Sequence, residues 1–124
     1  MVLAVVAAAC GGGDSGDGTI TVAGQPVPVA PLVDAHAALC QAAAEPAAAR
    51  RHFFDRAHEP LHTVARALED VDRAHAARLF QAKERVESEL SDPPASLPDD
   101  LRRLAGVYRD GLGRLAITAP PCDK

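Results

Sequence analysis

The stretch that decides the fold is LHTVARALEDVDRAHAARLFQAKERVESEL, residues 61–90. Within it, side chains suited to one buried face recur at a mean step of about 3.6 residues, the period of an α-helix. No Pro and no Gly interrupts the stretch. The pattern therefore predicts a long amphipathic helix past Pro60, carried by Leu61, Val64, Leu68, Val71, His75, Leu79, Ala82, Val86 and Leu90.

Helical patterns also flank this stretch. Pro31 suits the first turn of a helix over residues 31–45, whose apolar face carries Leu39 and Cys40. Prolines predict a loop over residues 91–98, and a last helix is expected from Asp99 to a point before Pro120. Its stripe comprises Leu101, Leu104, Tyr108, Leu112 and Leu115. The sequence thus predicts an all-α fold, a small bundle of about three to four helices.

The reach of the chain predicts where this bundle bends. One unbroken helix over residues 47–91 would be about 67 Å long, and the tail 115–122 extends only about 23 Å. Cys122 would then fall short of Cys40. Proline removes a helical N–H and clashes with the preceding turn, so we expect a break or kink at Pro60.

Composition limits the class of function. The chain has 124 residues, 48% of them hydrophobic and 24% charged, which is typical of one globular domain. A net charge of −4 and an aromatic content of 3% exclude phosphate-neutralising or base-stacking proteins, so no nucleic-acid partner is expected. Residues 10–30 are predicted to form a flexible tether and an extended leader, at most a short strand or hairpin arm. The helical domain is predicted over residues 31–124.

The first residues carry a targeting pattern. Residues 1–9 are uncharged and apolar and end on three alanines before Cys10, which a Gly- and Asp-rich segment follows. This resembles the end of a bacterial lipoprotein signal peptide. The excess of Arg over Lys, eleven to two, indicates a GC-rich genome of actinobacterial type. The resemblance implies that residues 1–9 are a signal-peptide remnant and that Cys10 is acylated, anchoring an extracytoplasmic domain to the cell membrane. Because no basic residues precede the apolar stretch, we expect the true start upstream of Met1.

The cysteine count follows from that resemblance. If Cys10 is acylated, Cys40 and Cys122 remain in an oxidising compartment and would pair as a disulfide. The alternative is two unpaired buried thiols. A cytosolic protein with an apolar tail and three reduced thiols is the alternative to the lipoprotein as a whole.

Histidines supply the candidate site. His58-Glu59-Pro60-Leu61-His62 resembles the H-E-x-x-H motif of zinc peptidases, in which two histidines bind the metal and Glu is the general base. Pro60 interrupts the regular helix that this mechanism requires, so a metallopeptidase is the weakest interpretation.

A non-catalytic metal site needs neither a general base nor a regular helix. Asp55, His58, His62 and Glu69 follow one another at offsets of 3, 4 and 7 and could hold a divalent ion along one helix edge. The alternative is an ordinary solvated face.

The remaining chemistry-bearing residues have structural explanations. His36 and His75 lie on apolar faces and are expected to be hydrogen-bonded at the core. We expect Phe53 and Phe54 to anchor the core. A solvated charged face is predicted for Lys83, Glu84, Arg85, Glu87 and Glu89.

These features favour a binding protein over an enzyme, since the chain lacks a Gly-rich phosphate loop and a nucleophile motif. We expect a membrane-tethered extracytoplasmic lipoprotein that acts as a binding or accessory module, with an envelope protein as its partner. The alternative is a lipoprotein that binds a divalent metal through His58 and His62. No other cofactor is expected.

Overall fold

The computed structural model describes residues 18–122. The signal-peptide remnant over residues 1–9, Cys10 and most of the tether lie outside the described residues. The predicted helical class is confirmed, because four helices form the body of the molecule and a two-stranded hairpin precedes them.

The elements follow the chain in a simple order. Strands β1 (Thr19–Val22) and β2 (Gln25–Pro28) precede helix α1 (Ala30–Ala44), a 3₁₀ turn (Pro46–Ala48), α2 (Ala49–His52), a π-turn (Phe53–Ala57), α3 (His58–Leu68), α4 (Arg73–Ser91) and α5 (Leu97–Arg114). The segment 46–68 is helical throughout and counts as one of the four helices. Across residues 18–122, no helix is both long enough and apolar enough to span a membrane.

The predicted leader is a hairpin, the less favoured of the two expected forms. Ala23 and Gly24 form its turn with φ of 52° and 80°. Positive φ at both central residues is the geometry of a type I′ turn, whose twist matches that of paired strands.

Two prolines are accommodated by the register of this hairpin. Val22 pairs with Gln25 beside the turn, and hydrogen-bonded and non-bonded positions alternate from there. Pro26 and Pro28 therefore fall on non-bonded positions, where a missing N–H costs nothing. Val27 lies between them and packs against the helical core.

The core lies between the four helices. Helix α1 starts and ends within one residue of the predicted bounds 31–45. Each helix contributes fully buried leucines, among them Leu39, Leu61, Leu79 and Leu104. Since aromatic residues are scarce, these leucines supply much of the buried apolar area.

Of the break or kink expected at Pro60, the break does not occur. Pro60 is the third residue of α3, and the chain stays helical on both sides of it. The irregularity is the preceding π-turn, in which the N–H of His58 donates to the carbonyl of Phe53. A π-turn widens the helix by one residue per turn. It lies directly before the position at which Pro60 cannot donate, so the proline is accommodated without a chain reversal.

The chain reverses instead at residues 69–72, where the sequence pattern predicted continuous helix. Asp72 caps α4 by accepting a hydrogen bond of 3.0 Å from the N–H of His75. Val71, predicted to be buried, is 57% exposed in this turn. This turn, rather than Pro60, folds the segment 47–91 into two packed helices.

The C-terminal segment returns to α1. Helix α5 begins at Leu97, two residues before the predicted Asp99, because Pro98 is tolerated in the first helical turn, where its missing N–H costs nothing. The tail after α5 brings Cys122 to Cys40, with their Sγ atoms 2.03 Å and their Cα atoms 5.3 Å apart. The expected proximity of these cysteines is confirmed.

Candidate ligand-binding site

His58 and His62 lie at the start of α3, one helical turn apart. Their ring centroids are 4.8 Å apart and the rings are nearly perpendicular. His58 is half-buried and His62 is exposed. The i, i+4 spacing read from the sequence therefore places both imidazoles on one face, next to α4.

Helix α4 adds a carboxylate to this pair. Nε2 of His58 lies 3.1 Å from Oε2 of Glu87. One ligand atom from each of His58, His62 and Glu87 falls within 4.8 Å of the other two. We call these three residues the imidazole cluster.

The other two residues of the predicted metal set are not part of this cluster. Asp55 precedes α3 and lines a surface cleft with Arg56. Glu69 follows α3 and lines another surface depression with Arg73. The structure thus joins His58 and His62 to Glu87 rather than to Asp55 or Glu69.

Glu87 belongs to the helix face that was predicted to be solvated, and this prediction was wrong for part of the face. Lys83 is only 1% exposed. Its ammonium donates to Oε2 of Glu87 at 3.0 Å and to Oε2 of Glu84 at 3.1 Å. Glu87 is consequently shared between a buried lysine and His58, and its side chain is held in place from both helices.

Two phenylalanine rings lie beside His58 of the cluster. Phe53 is buried beneath it, with its ring centroid 6.1 Å from that of His58. Phe54 was predicted to be in the core but is 40% exposed, its centroid 5.5 Å from His58. On the α4 side, Phe80 is 49% exposed and lies 5.2 Å from the Lys83 ammonium. Of the two exposed phenylalanines, Phe54 thus lies beside His58 and Phe80 beside Lys83.

Glu59, the central acid of the H-E-x-x-H motif, lies elsewhere. Its side chain is exposed and lines a cleft with Pro28, Pro31 and Asp34, on the side of the hairpin and α1. A general base must lie within hydrogen-bonding reach of the reacting water. The arrangement therefore gives no support to the peptidase interpretation.

A second group of metal-ligand types surrounds the disulfide. Nδ1 of His36 lies 3.8 Å from Sγ of Cys40, and both line a cleft of about 650 Å³ with Cys122. Burial, followed by the charge of Arg109, lowers the pKa of His36. Because the two sulfur atoms lie at bonding distance from each other, they are not both available as thiolate ligands. His36 packs at the core, as predicted.

The chain was compared with protein-family models, curated proteins and solved structures. No family model, no curated protein and no solved structure matches this chain. The function is therefore argued from the side chains described above.

Proposed function

We propose that the protein is an extracytoplasmic binding module, tethered to a membrane by lipid at Cys10, that acts beside an envelope protein partner. The observation that supports this proposal is the approach of Cys40 and Cys122 to bonding distance. Disulfides persist in oxidising compartments and are rare in the cytosol. Two of the three cysteines are thereby accounted for, and Cys10 stands at the position that the lipoprotein resemblance assigns to acylation.

The spacing along the chain is consistent with a short tether. Residues 10–18 separate Cys10 from the hairpin, and at about 3.5 Å per residue they reach at most about 30 Å. Two or three acyl chains anchor a protein stably, whereas one binds only marginally. A domain on such a tether would remain close to the bilayer and to proteins embedded in it.

The imidazole cluster is the binding site that we assign to this module. It joins two neighbouring helices and leaves His62 open to solvent. Ligand sites in helical proteins are commonly built from side chains on facing helices.

Cell fractionation tests the tether. The gene is expressed with its upstream sequence in a bacterium that processes lipoproteins, as the unaltered protein and as Cys10→Ser. Ser15→Ala, in the same segment, serves as the matched control. We expect the unaltered protein and the control to enter the membrane fraction and to incorporate labelled palmitate, and Cys10→Ser to do neither. Identical fractionation of all three proteins, or recovery of the unaltered protein from the cytosol, would contradict the proposal.

A further inference from the structure

We propose that the imidazole cluster binds a divalent transition-metal ion of the Zn²⁺ type through His58, His62 and Glu87. This proposal names the ligand of the binding module. It rests on the proposed function only for the extracytoplasmic location in which the ion would be bound. Imidazole nitrogen and carboxylate oxygen are ligands that Zn²⁺ takes in proteins, whereas Mg²⁺ and Ca²⁺ take oxygen alone.

The distances in the cluster suit one ion. Ligand atoms at about 2.1 Å from a tetrahedral Zn²⁺ lie about 3.4 Å from one another. Nε2 of His58 and Oε2 of Glu87, at 3.1 Å, are already close to that separation. The ligand atom of His62 lies within 4.8 Å of both, and rotation of this exposed ring can close the gap.

The two helices that carry the ligands are fixed by packing. Leu61 on α3 and Val86 on α4 are fully buried, each next to a ligand in sequence. The buried ring of Phe53 backs His58. Ligands held on packed helices lose little freedom when an ion binds, so His58 and Glu87 are largely preorganised.

Lys83 would compete with a metal ion for Glu87, but it also has a second carboxylate partner. The ammonium contacts only Oε2 of Glu87 and is also bonded to Glu84. Lys83 therefore keeps Glu84 as a carboxylate partner when Oε2 of Glu87 also binds the ion. A ligating carboxylate that is also hydrogen-bonded to an outer donor is typical of metal sites.

Three protein ligands leave one position of a tetrahedral ion open. His62 is exposed, so this position would face solvent. Closed four-ligand sites are structural, whereas open sites exchange their fourth ligand. The arrangement suits an ion that is taken up and passed on, with water or a partner's side chain completing the shell.

Zinc titration of the full chain carrying Cys10→Ser, with the disulfide formed, tests the inference. The Cys10 substitution removes a thiol that would bind zinc by itself. The cluster variants are His58→Ala, His62→Ala and Glu87→Gln. Two matched controls are His52→Ala, which removes a histidine paired with Glu45 at 2.9 Å, and Glu69→Gln, which removes a carboxylate outside the cluster.

We expect one Zn²⁺ per chain and a loss of affinity of at least about tenfold in each cluster variant, because even outer-shell changes cost about 10–100-fold. The controls should bind like the parent chain. Absence of binding by the parent, or equal affinities in parent and cluster variants, would overturn the inference. His62 is exposed, so His62→Ala keeps the test decisive if Glu87→Gln is unstable. Because this titration needs no membrane, its outcome is independent of the fractionation result.

Discussion

The hydroxyl of Tyr108 donates a hydrogen bond of 2.7 Å to the backbone carbonyl of Leu32. This bond joins α5 to the first turn of α1 across 76 residues of sequence. Tyr108 is fully buried, and burial raises its pKa far above the ordinary value. The neutral phenol is therefore the form that the folded protein requires.

Alkaline titration should unfold the protein as Tyr108 ionises. The unfolded chain releases the phenol proton near pH 10, so the stability that Tyr108 contributes is complete below that pH and is lost as the pH rises towards the higher folded value. The chain has one Tyr and no Trp, so tyrosinate absorbance reports on this residue alone. We expect tyrosinate absorbance to rise together with the loss of the helical circular dichroism signal. Ionisation near pH 10 with the helices intact would show that the side chain is accessible.

Gly111 on α5 should not tolerate a methyl group. A Cβ built there would lie 2.9 Å from Cδ1 of Leu68 and 3.4 Å from Cδ2 of His75. The His75 ring is buried, as predicted, and its Nε2 donates to the carbonyl of Val107 at 2.8 Å, which keeps it in place. We expect the overpacking cost, about 1–3 kcal/mol, to outweigh the gain of about 0.5–1 kcal/mol from replacing a helical Gly, so Gly111→Ala should lower the free energy of unfolding in urea denaturation.

Gly106 on the same helix is the matched control for this substitution. Nothing lies within 4 Å of a Cβ built at Gly106. Gly106→Ala should therefore raise stability by about 0.5–1 kcal/mol, the usual gain from replacing Gly in a helix. If Gly111→Ala raises stability as Gly106→Ala does, packing at Gly111 is looser than described.

Glu89 should destabilise the fold at neutral pH. Its Oε1 is buried and has no hydrogen-bond partner among the described residues. Burial, then the adjacent Asp100, raises the pKa of Glu89, with Arg85 opposing both effects. Because the pKa of Glu89 is higher in the folded protein than in the unfolded chain, its contribution to the free energy of unfolding is most favourable in acid. That contribution is lost as the pH rises through the pKa of the folded state.

Glu89→Gln should consequently raise the thermal unfolding midpoint at pH 7. The gain should vanish at a pH acidic enough to protonate Glu89 in the parent protein. Glu59→Gln, an exposed site, is the control and should show no such pattern. A gain of equal size at both pH values would mean that charge at Glu89 is not the cause.

Loss of the Cys40–Cys122 bond should cost much of the stability of so small a domain. The cysteines are 82 residues apart. In the chain-entropy account, closing a loop of this length stabilises by about 4 kcal/mol. Urea denaturation of the purified protein with and without reductant, and of Cys40→Ser/Cys122→Ser, should show that loss. Equal stability in all three conditions would indicate that the sulfur atoms are not bonded in solution.

The helices were predictable where their signals are local. Pro31 and the apolar face that follows place α1 within one residue of the observed start. The reversal at residues 69–72 was missed because Leu68 and His75 are buried on either side of it, two helical turns apart in sequence. The apolar period therefore continues through the turn, and the capping residue Asp72 was the signal that marked the break.

The site was predictable only in part for a related reason. His58 and His62 share a helix face through their spacing, which the sequence displays. Glu87 joins them through the packing of α4 against α3, and no periodicity within one helix encodes such a pairing. The burial of Lys83 was missed for the same reason. Within its own helix, a lysine among glutamates is typical of a solvated face.

The central claim is that this protein binds a metal ion between His58, His62 and Glu87. Its most direct test is crystallography of the zinc-soaked Cys10→Ser chain, with anomalous data collected on both sides of the zinc absorption edge. The account predicts one anomalous peak about 2.0–2.2 Å from an imidazole nitrogen of each histidine and from a Glu87 oxygen. A peak found instead at the His52–Glu45 pair, or no peak at the imidazole cluster, would contradict it.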